Sequence, residues 1–475
     1  MWDTVIGLEI HVQLNTLSKA FSGDENKFLA EPNTNVSPIS IALPGALPKV
    51  NEQQVHSAIK LGLALDSEIN RNNAFDRKNY FYPDSPKGYQ ITQNAEPILR
   101  KGQFTFRTNK KEKTIRIHQV HMEDDAGKSI HDLNGDLTRI DLNRAGTPLL
   151  EVVTEPDFCS GQEVSDFLVA FQNLVRYLEI SDANMEEGSL RCDCNVSVKP
   201  TGQTTLGTRC EIKNINSKKF AKTAIEYERD RQINLIESGK TVDQETRLFD
   251  SKQGVTFTMR KKEDALDYRY YPDPDLQNII ITEKQIEQLR QDIDWLPWTA
   301  EQTLIDKYQL QPAKASALSA QKETFIYFLT LQPDVPNNKL VSDFIINHIA
   351  PRFETIKRLD EPVTKDRWVE LLSLINEKKI SSSAGYQVLV PLIIEDPTIP
   401  VNELATTNNL FTEQVSATDL SSFCTQLISD NPGKVQAYKK GKKGLLGFFM
   451  GQAMRSGKKY PPTELQAELE KQLAE

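Results

Sequence analysis

Val5-Ile6-Gly7-Leu8-Glu9-Ile10-His11-Val12-Gln13-Leu14 alternates without a break. In an extended chain Ile6, Leu8, Ile10, Val12 and Leu14 share one face, while Gly7, Glu9, His11 and Gln13 share the other. Such a strand has one face in a core and one open to chemistry. A carboxylate and an imidazole two residues apart can be bridged by one divalent cation. By themselves they are weak evidence, since Glu and His on the wet face of a half-exposed strand are most often just solvated.

Two further segments repeat the pattern with more acid. Ile115 to Gly127 places His121 and Glu123 on one face with Asp124 and Asp125 beside them. Three consecutive acids suit either a hard cation that takes oxygen ligands or a turn in water. Pro148 to Glu155 sets Glu151 among Leu149, Leu150, Val152 and Val153. A carboxylate in so apolar a run needs a partner once it is buried. Leu190 to Val198 presents Arg191, Asp193, Asn195 and Ser197 on one side, and Thr208 to Ile215 presents Arg209, Glu211 and Lys213. A hairpin of the two assembles a surface of both signs, which a solvated salt-bridge ladder also explains.

Between these strands Phe75 to Gln90 collects Arg77, Lys78 and Lys87 among Tyr80, Tyr82 and Tyr89 in a Pro-rich loop. Cations beside aromatic faces suit phosphate or a nucleotide base, and an ordered surface loop whose tyrosines pack on the sheet is the alternative. Helical spacing predicts helices over Glu52 to Leu65, Gly161 to Leu178 and Phe220 to Ile236. Beyond about Thr282 the pattern becomes amphipathic helix, as in Lys339 to Ile349 with its stripe Leu340, Phe344, Ile345 and Ile349. Pro397 and Pro400 mark a further boundary. The fold class expected is α+β: an antiparallel-sheet domain over 1–290, an all-helical domain over 291–402 and a small helical tail over 403–475.

The chain has 475 residues, 57 basic and 66 acidic, for a formal net charge of -9. A polyanionic partner must therefore meet a local basic patch. One exists: Lys434, Lys439, Lys440, Lys442, Lys443, Arg455, Lys458 and Lys459 occur with no acid between Lys434 and Lys459. Glycines at 441, 444, 447 and 451 there allow either close approach to a phosphate chain or tight helix packing, while a solvated basic helix needs neither.

No apolar run reaches membrane-spanning length, and no leader-like segment precedes the first strand, so a cytoplasmic protein is expected. Of the five cysteines, Cys192, Cys194 and Cys210 lie on strand-like segments and read as buried thiols; the spacing and fourth ligand of a thiolate metal site are missing. The phosphate loops of the common ATPases and dinucleotide-binding folds are absent, as is any amidase-type nucleophile.

Five motifs together carry a resemblance. They are Val5 to Leu14, Ala30 to Val36 (Ala-Glu-Pro-Asn-Thr-Asn-Val), Phe75 to Asp84 (Phe-Asp-Arg-Lys-Asn-Tyr-Phe-Tyr-Pro-Asp), Met185 to Asp193 (Met-Glu-Glu-Gly-Ser-Leu-Arg-Cys-Asp) and Asp267 to Asp275 (Asp-Tyr-Arg-Tyr-Tyr-Pro-Asp-Pro-Asp). In this order they resemble the B subunits (GatB family) of the bacterial amidotransferases that act on Asp-tRNA(Asn) and Glu-tRNA(Gln), over essentially the whole chain. The archaeal Glu-tRNA counterpart carries an insertion before its helical domain that has no place between Tyr271 and Trp295 here.

The resemblance implies a cradle domain, a helical domain and a YqeY-like tail. It implies a ligase in which ATP phosphorylates the side-chain carboxylate of the attached Asp or Glu, and ammonia then displaces phosphate. Ammonia comes from the A subunit, a glutaminase, and the C subunit completes a heterotrimer. A magnesium site is implied at Glu9, His11, the Glu123–Asp124 pair and Glu151, with the choice between Glu123 and Asp124 open. Lys78, Lys87 and Arg191 are the candidates to offset phosphate charge, and Asp193 and Glu211 to orient or deprotonate ammonium. The basic tail is the candidate tRNA grip. Some relatives bind zinc through four cysteines near the start; Phe21 to Ser40 has Ser22, Asp24, Ser37 and Ser40 instead, so no zinc is expected.

Overall fold

The computed structural model describes residues 1–27, 31–131, 137–261, 267–352, 363–412, 417–456, 460 and 462–474. Contacts divide the chain into two compact units, Met1–Thr299 and Ala300–Glu475. Lys458 and Lys459 of the basic patch lie outside the described residues.

The first unit is built on one large sheet. In chain order its elements are β1 (Trp2–Gln13), α1 (Glu52–Ala64), β2 (Glu68–Ile69), β3 (Asn72–Asn73), β4 (Asp76–Asn79), β5 (Tyr89–Thr92), β6 (Leu99–Arg100), β7 (Gln103–Thr108) and β8 (Lys111–Asp124). There follow β9 (Lys128–His131), β10 (Thr138–Asp141), β11 (Pro148–Thr154), α2 (Gly161–Tyr177), β12 (Leu190–Pro200), β13 (Cys210–Lys213), α3 (Lys218–Glu237), β14 (Glu245–Asp250) and β15 (Val255–Lys261). The sheet runs β15-β14-β13-β12-β1-β11-β8-β6-β2, with β7 also paired to β8. Among the described residues its pairs are antiparallel except β13 with β14.

The predicted alternation of β1 is realised. Ile6, Leu8, Ile10, Val12 and Leu14 are buried in one core with residues of α1, α2 and α3. Each such side chain contributes on the order of 2 kcal/mol relative to exposure. Phe167 and Phe171 of α2 meet Phe104 of β7 edge-to-face at 5.6 and 6.2 Å. The helices begin where side chains satisfy their free amides: Asn51 accepts from Gln53 N and Gln54 N, Ser160 from Glu163 N, and Ser217 from Phe220 N. Gln54 is fully buried and donates to the carbonyls of Glu123 and Leu149 at 2.9 and 3.1 Å, tying α1 to the strand ends that carry the acids. Cys192, Cys194 and Cys210 are free, buried thiols.

The second unit is helical, so the chain as a whole is mixed α+β. Within the stretch Lys339 to Ile349, the α-helix ends at Phe344 and a π-helical turn covers Ile345–Ile349. Pro351 lacks the amide that would close the next α-turn on Asn347. The buried stripe is Val341, Phe344, Ile345 and Ile349, whereas Leu340 is only half-buried. Further on, Leu420, Cys424, Tyr438, Phe449, Ala453, Tyr460, Leu465, Leu469 and Leu473 form a core of their own. Among the described residues no helix is long and apolar enough to cross a membrane.

Candidate functional site

The polar face of the sheet is assembled by register. His11 on β1 stands opposite Glu151 on β11, which stands opposite His121 on β8. Residues directly opposite across antiparallel strands project to the same side, so the three side chains converge, and Glu123, two residues beyond His121, joins them. His11 Nε2 lies 3.4 Å from Glu151 Oε2 and 3.9 Å from Glu123 Oε2. His121 Nε2 lies 2.8 Å from Glu151 Oε2 and 3.2 Å from Glu123 Oε1. Thr92 Oγ1 donates to Glu123 Oε1 at 2.7 Å and Gln90 Nε2 to Oε2 at 3.1 Å, which fix the carboxylate in place.

Three of these groups, His121, Glu123 and Glu151, are buried, and imidazole and carboxylate stabilise one another's charged forms. Burial by itself lowers an imidazole pKa, but the neighbouring carboxylates outweigh it: His121 is pushed up to about 10, chiefly by Glu151, and His11 also moves up. Burial alone raises Glu151, yet the two imidazoles hold it well below the usual carboxylate range. One donor atom each from His11, Glu123 and Glu151 lies within 4.8 Å of the others. His121 Nδ1 is buried without a hydrogen-bond partner among the described residues. An imidazole with two carboxylates, held in one place by three strands, is a donor set that fits a divalent cation preferring oxygen ligands.

Glu9 stands apart from this set. It lies opposite Asp193 on β12, and Asn195 lies opposite Glu211 on β13, so Glu9, Asp193 and Glu211 form a second group with oxygens within 4.8 Å. Lys213 Nζ bridges it, at 2.5 Å from Asp193 Oδ2 and 2.9 Å from Glu211 Oε1. Asn195 Nδ2 donates to Glu9 Oε1 at 2.9 Å. Burial and the Glu151 carboxylate raise the pKa of Glu9.

Asp124 is one residue out of phase with Glu123 and points elsewhere, as period-two alternation requires. Its carboxylate accepts from the Lys87 ammonium and from Ile91 N at 2.9 Å. Asp125 pairs with Arg191 Nη2 at 2.7 Å and Gln13 Nε2 at 2.8 Å, with Arg144 Nε at 3.6 Å. Lys87 and Arg191, candidate phosphate ligands by sequence, are thus each engaged with a buried acid. Lys78 differs: its ammonium sits 5.0 Å from the Tyr268 ring centroid, and no described carboxylate lies within ion-pairing distance. Burial there disfavours the cation, but Glu123 above all holds its pKa up.

Tertiary structure joins two motifs nearly two hundred residues apart. β4 pairs with Tyr271–Pro272, Arg77 Nε reaches Asp273 at 2.7 Å, and Arg77 Nη2 reaches Asp275 at 2.6 Å. At the chain start, Asp24 accepts from Ser37 N at 3.0 Å and from the Ser40 hydroxyl, while the buried Lys19 ammonium is 3.9 Å away. The site also takes in His121, Asn195, Thr92 and Lys213, to which the sequence alone assigns no role. For His121 and Lys213 a signal is present, since each is two residues from an acid on the same strand face.

In the tail, Lys434, Lys439, Lys440, Lys442, Lys443 and Arg455 are all exposed. Lys443 lies 4.1 Å from the Tyr438 ring centroid and Lys434 5.3 Å from that of Phe448. A methyl group added at Gly444, Gly447 or Gly451 would meet nothing within 4 Å, so these glycines do not serve tight helix packing within the chain.

Comparison with known proteins matches residues 4–287 to the GatB/GatE catalytic domain and residues 327–473 to a GatB domain. The chain is 42% identical over 461 residues, 96% of both chains, to the B subunit of the aspartyl/glutamyl-tRNA(Asn/Gln) amidotransferase of Persephonella marina. It is also 42% identical to the B subunit from a serogroup B strain of Neisseria meningitidis, over 478 residues and the whole of both chains. The corresponding protein of Pelagibacter ubique is 42% identical over 482 residues, all of this chain and 97% of that one. The sheet-borne acidic site, the helical second unit and these full-length matches agree: the chain belongs to the B-subunit family of the aspartyl/glutamyl-tRNA(Asn/Gln) amidotransferases.

Proposed function

We propose that this chain is the kinase and transamidase component of a glutamine-dependent carbon–nitrogen ligase that makes Asn-tRNA(Asn), Gln-tRNA(Gln) or both from their mischarged precursors. The observation that carries this reading is the convergence of His11, Glu123 and Glu151 from three strands onto one buried point, next to the second acidic group of Glu9, Asp193 and Glu211. ATP and the aminoacylated acceptor end are its substrates in the sheet domain, 1–290. A helical domain follows over 291–402, and the tail over 403–475 grips tRNA through Lys434, Lys439, Lys440, Lys442, Lys443 and Arg455, with Lys458 and Lys459 beyond the described residues. The glutaminase A subunit and the small C subunit complete the enzyme, which works in the cytoplasm.

His11, Glu123 and Glu151 would hold magnesium, and Asp124, whose carboxylate accepts from Lys87 and Ile91 N, would not. The bound cation supplies charge neutralisation for phosphoryl transfer. Lys78, a cation without a carboxylate partner among the described residues, is placed to offset charge on the transferring phosphoryl group. Lys87 and Arg191 reach a phosphate only by leaving Asp124 and Asp125. Acyl phosphate formation needs no protein nucleophile, because the substrate carboxylate attacks ATP itself. Asp193 and Glu211 orient the ammonia that then displaces phosphate, and Glu9, whose pKa burial and Glu151 raise, lies beside them.

The test is amidation of Asp-tRNA(Asn) and Glu-tRNA(Gln) by the co-expressed heterotrimer, with and without ATP and magnesium. No ATP-dependent amide formation on either tRNA would overturn the proposal.

A further inference from the structure

Behind the sheet, on the side opposite the acidic groups, lies a second buried ionic network that the proposed chemistry leaves unused. Glu228 of α3 is fully buried. It accepts from Arg231 Nη2 at 2.7 Å and Nε at 2.9 Å, Gln232 Nε2 at 2.8 Å and Thr256 Oγ1 at 3.0 Å, and its Oε2 lies 3.2 Å from Arg247 Nε. Arg247 of β14 also donates to Glu245 Oε1 at 2.5 Å, Thr256 Oγ1 at 2.8 Å and the Thr256 carbonyl at 2.7 Å. Gln232 further donates to the Val196 carbonyl at 3.1 Å, next to Asn195, which holds Glu9.

Burying this much charge is an expensive way to gain stability, and where such networks persist their best-attested use is to set register. Register is what β14 most needs. Among the described residues it forms the sheet's one parallel pair, with Glu211 opposite Thr246 and Ile212 opposite Arg247. Its antiparallel pairing with β15 shifts register between Thr246 and Arg247, an irregularity of the kind that re-aims a side chain. Glu245 and Arg247 point back into the network, so Thr246 points to the other face. There Thr246 Oγ1 donates to Glu211 Oε2 at 2.8 Å, leaving Oε1 to Lys213 at 2.9 Å.

We infer that Thr246 is a positioning residue for ammonia transfer, fixing the Glu211 carboxylate through its hydroxyl, and that the Glu228–Arg247 network is the device that holds it in register. A glutamate carboxylate, at the end of three rotatable bonds, has no single orientation of its own. With Thr246 on one oxygen and Lys213 on the other, its plane is set before ammonia arrives. This inference rests on the role proposed above for Glu211, and its test separates the two.

In the assembled heterotrimer, tRNA-dependent ADP formation and ammonium-dependent amide formation are measured separately for T246V, T246S and E211Q. T246V keeps the shape and the strand propensity but loses the hydroxyl. It is expected to lower amide formation about tenfold and raise the KM for ammonium, with tRNA-dependent ADP formation unchanged; T246S restores amide formation to within about twofold. E228Q is expected to act in the same partial reaction, and the E228Q/T246V double variant to be no worse than T246V alone. Wild-type amide formation by T246V while E211Q is impaired overturns the inference and leaves the role of Glu211 standing. A silent E211Q overturns that role itself. If T246V loses both partial reactions in parallel, or T246S fails to rescue, Thr246 is merely structural and the inference falls. Additive effects of E228Q and T246V would show that the network does not act through Thr246.

Discussion

The polar face of the large sheet and the basic tail handle charge in opposite ways. On the sheet, Glu123, Glu151 and His121 are buried, each with named partners at hydrogen-bond distance, and strand register decides which of them meet. In the tail, six described cations are exposed, and the local contacts seen at Lys434 and Lys443 are to aromatic rings. A buried ion is worth what its geometry makes it worth, whereas exposed ions act by their sum and are screened by salt. The same residue types therefore form fixed, individually paired clusters in one region and a diffuse positive surface in the other.

The strongest challenge to this contrast is Glu151→Ala. The carboxylate joins His11 and His121, so its loss is expected to lower ATP-dependent amidation about a thousandfold, roughly 4 kcal/mol in the barrier. A rate near wild type would show that this buried cluster takes no part in the reaction.

Next in size is Glu228→Ala, which strands two guanidiniums among buried groups and is expected to cost about 3 kcal/mol in a urea titration. The pH dependence follows from its sign. Burial raises Glu228, but the hydrogen bonds and charges of Arg231, Gln232 and Arg247 leave its folded pKa below the ordinary 4.5. Its contribution is therefore complete above about pH 4.5 and is lost as pH falls through the lower, folded value. Glu228→Gln should flatten the acid limb of the stability curve; an unchanged limb would remove Glu228 from the account.

The tail should respond by degrees. Replacing Lys439, Lys440, Lys442 and Lys443 with Ala is expected to weaken tRNA binding about tenfold or more at low salt, and to shrink the salt slope by roughly one unit for each phosphate released. A weakened affinity with an unchanged slope would mean that these residues make specific contacts, erasing the distinction from the sheet. The smallest effect is Gly451→Ala. Its new methyl group meets open space within the helix Leu446–Arg455, so a gain of about 0.5–1 kcal/mol in stability is expected. A weaker hold on tRNA would instead show that a phosphate approaches the backbone there.

Much of the sheet domain can be read before any coordinates. The alternation of β1, β8, β11 and β12 and the three helices over Glu52–Ala64, Gly161–Tyr177 and Lys218–Glu237 follow from local periodicity. The expected ligand set of Glu9, His11, Glu123, Asp124 and Glu151 lies on the neighbouring strands β1, β8 and β11, where the structure gives its members different partners. Glu9 and His11 share a face yet stand opposite different partners, Asp193 and Glu151. Asp124 stands one step out of phase and turns to Lys87. The π-turn at Ile345–Ile349 and the half-buried Leu340 show the same limit in the helical unit, where a stripe of apolar residues does not say where a helix tightens or widens.

Which face of each strand is apolar, and which residue types stand on the other, is settled within a few neighbours by the two-residue repeat of an extended backbone. Which acids and imidazoles then meet is settled by strand order and register between segments more than a hundred residues apart, as for His11 with Glu151 and for Glu9 with Asp193. The division between the two acidic groups, and the threonine behind one of them, belong to that long-range pairing alone, because a shift of one residue in register would turn every one of these side chains to the other face of the sheet.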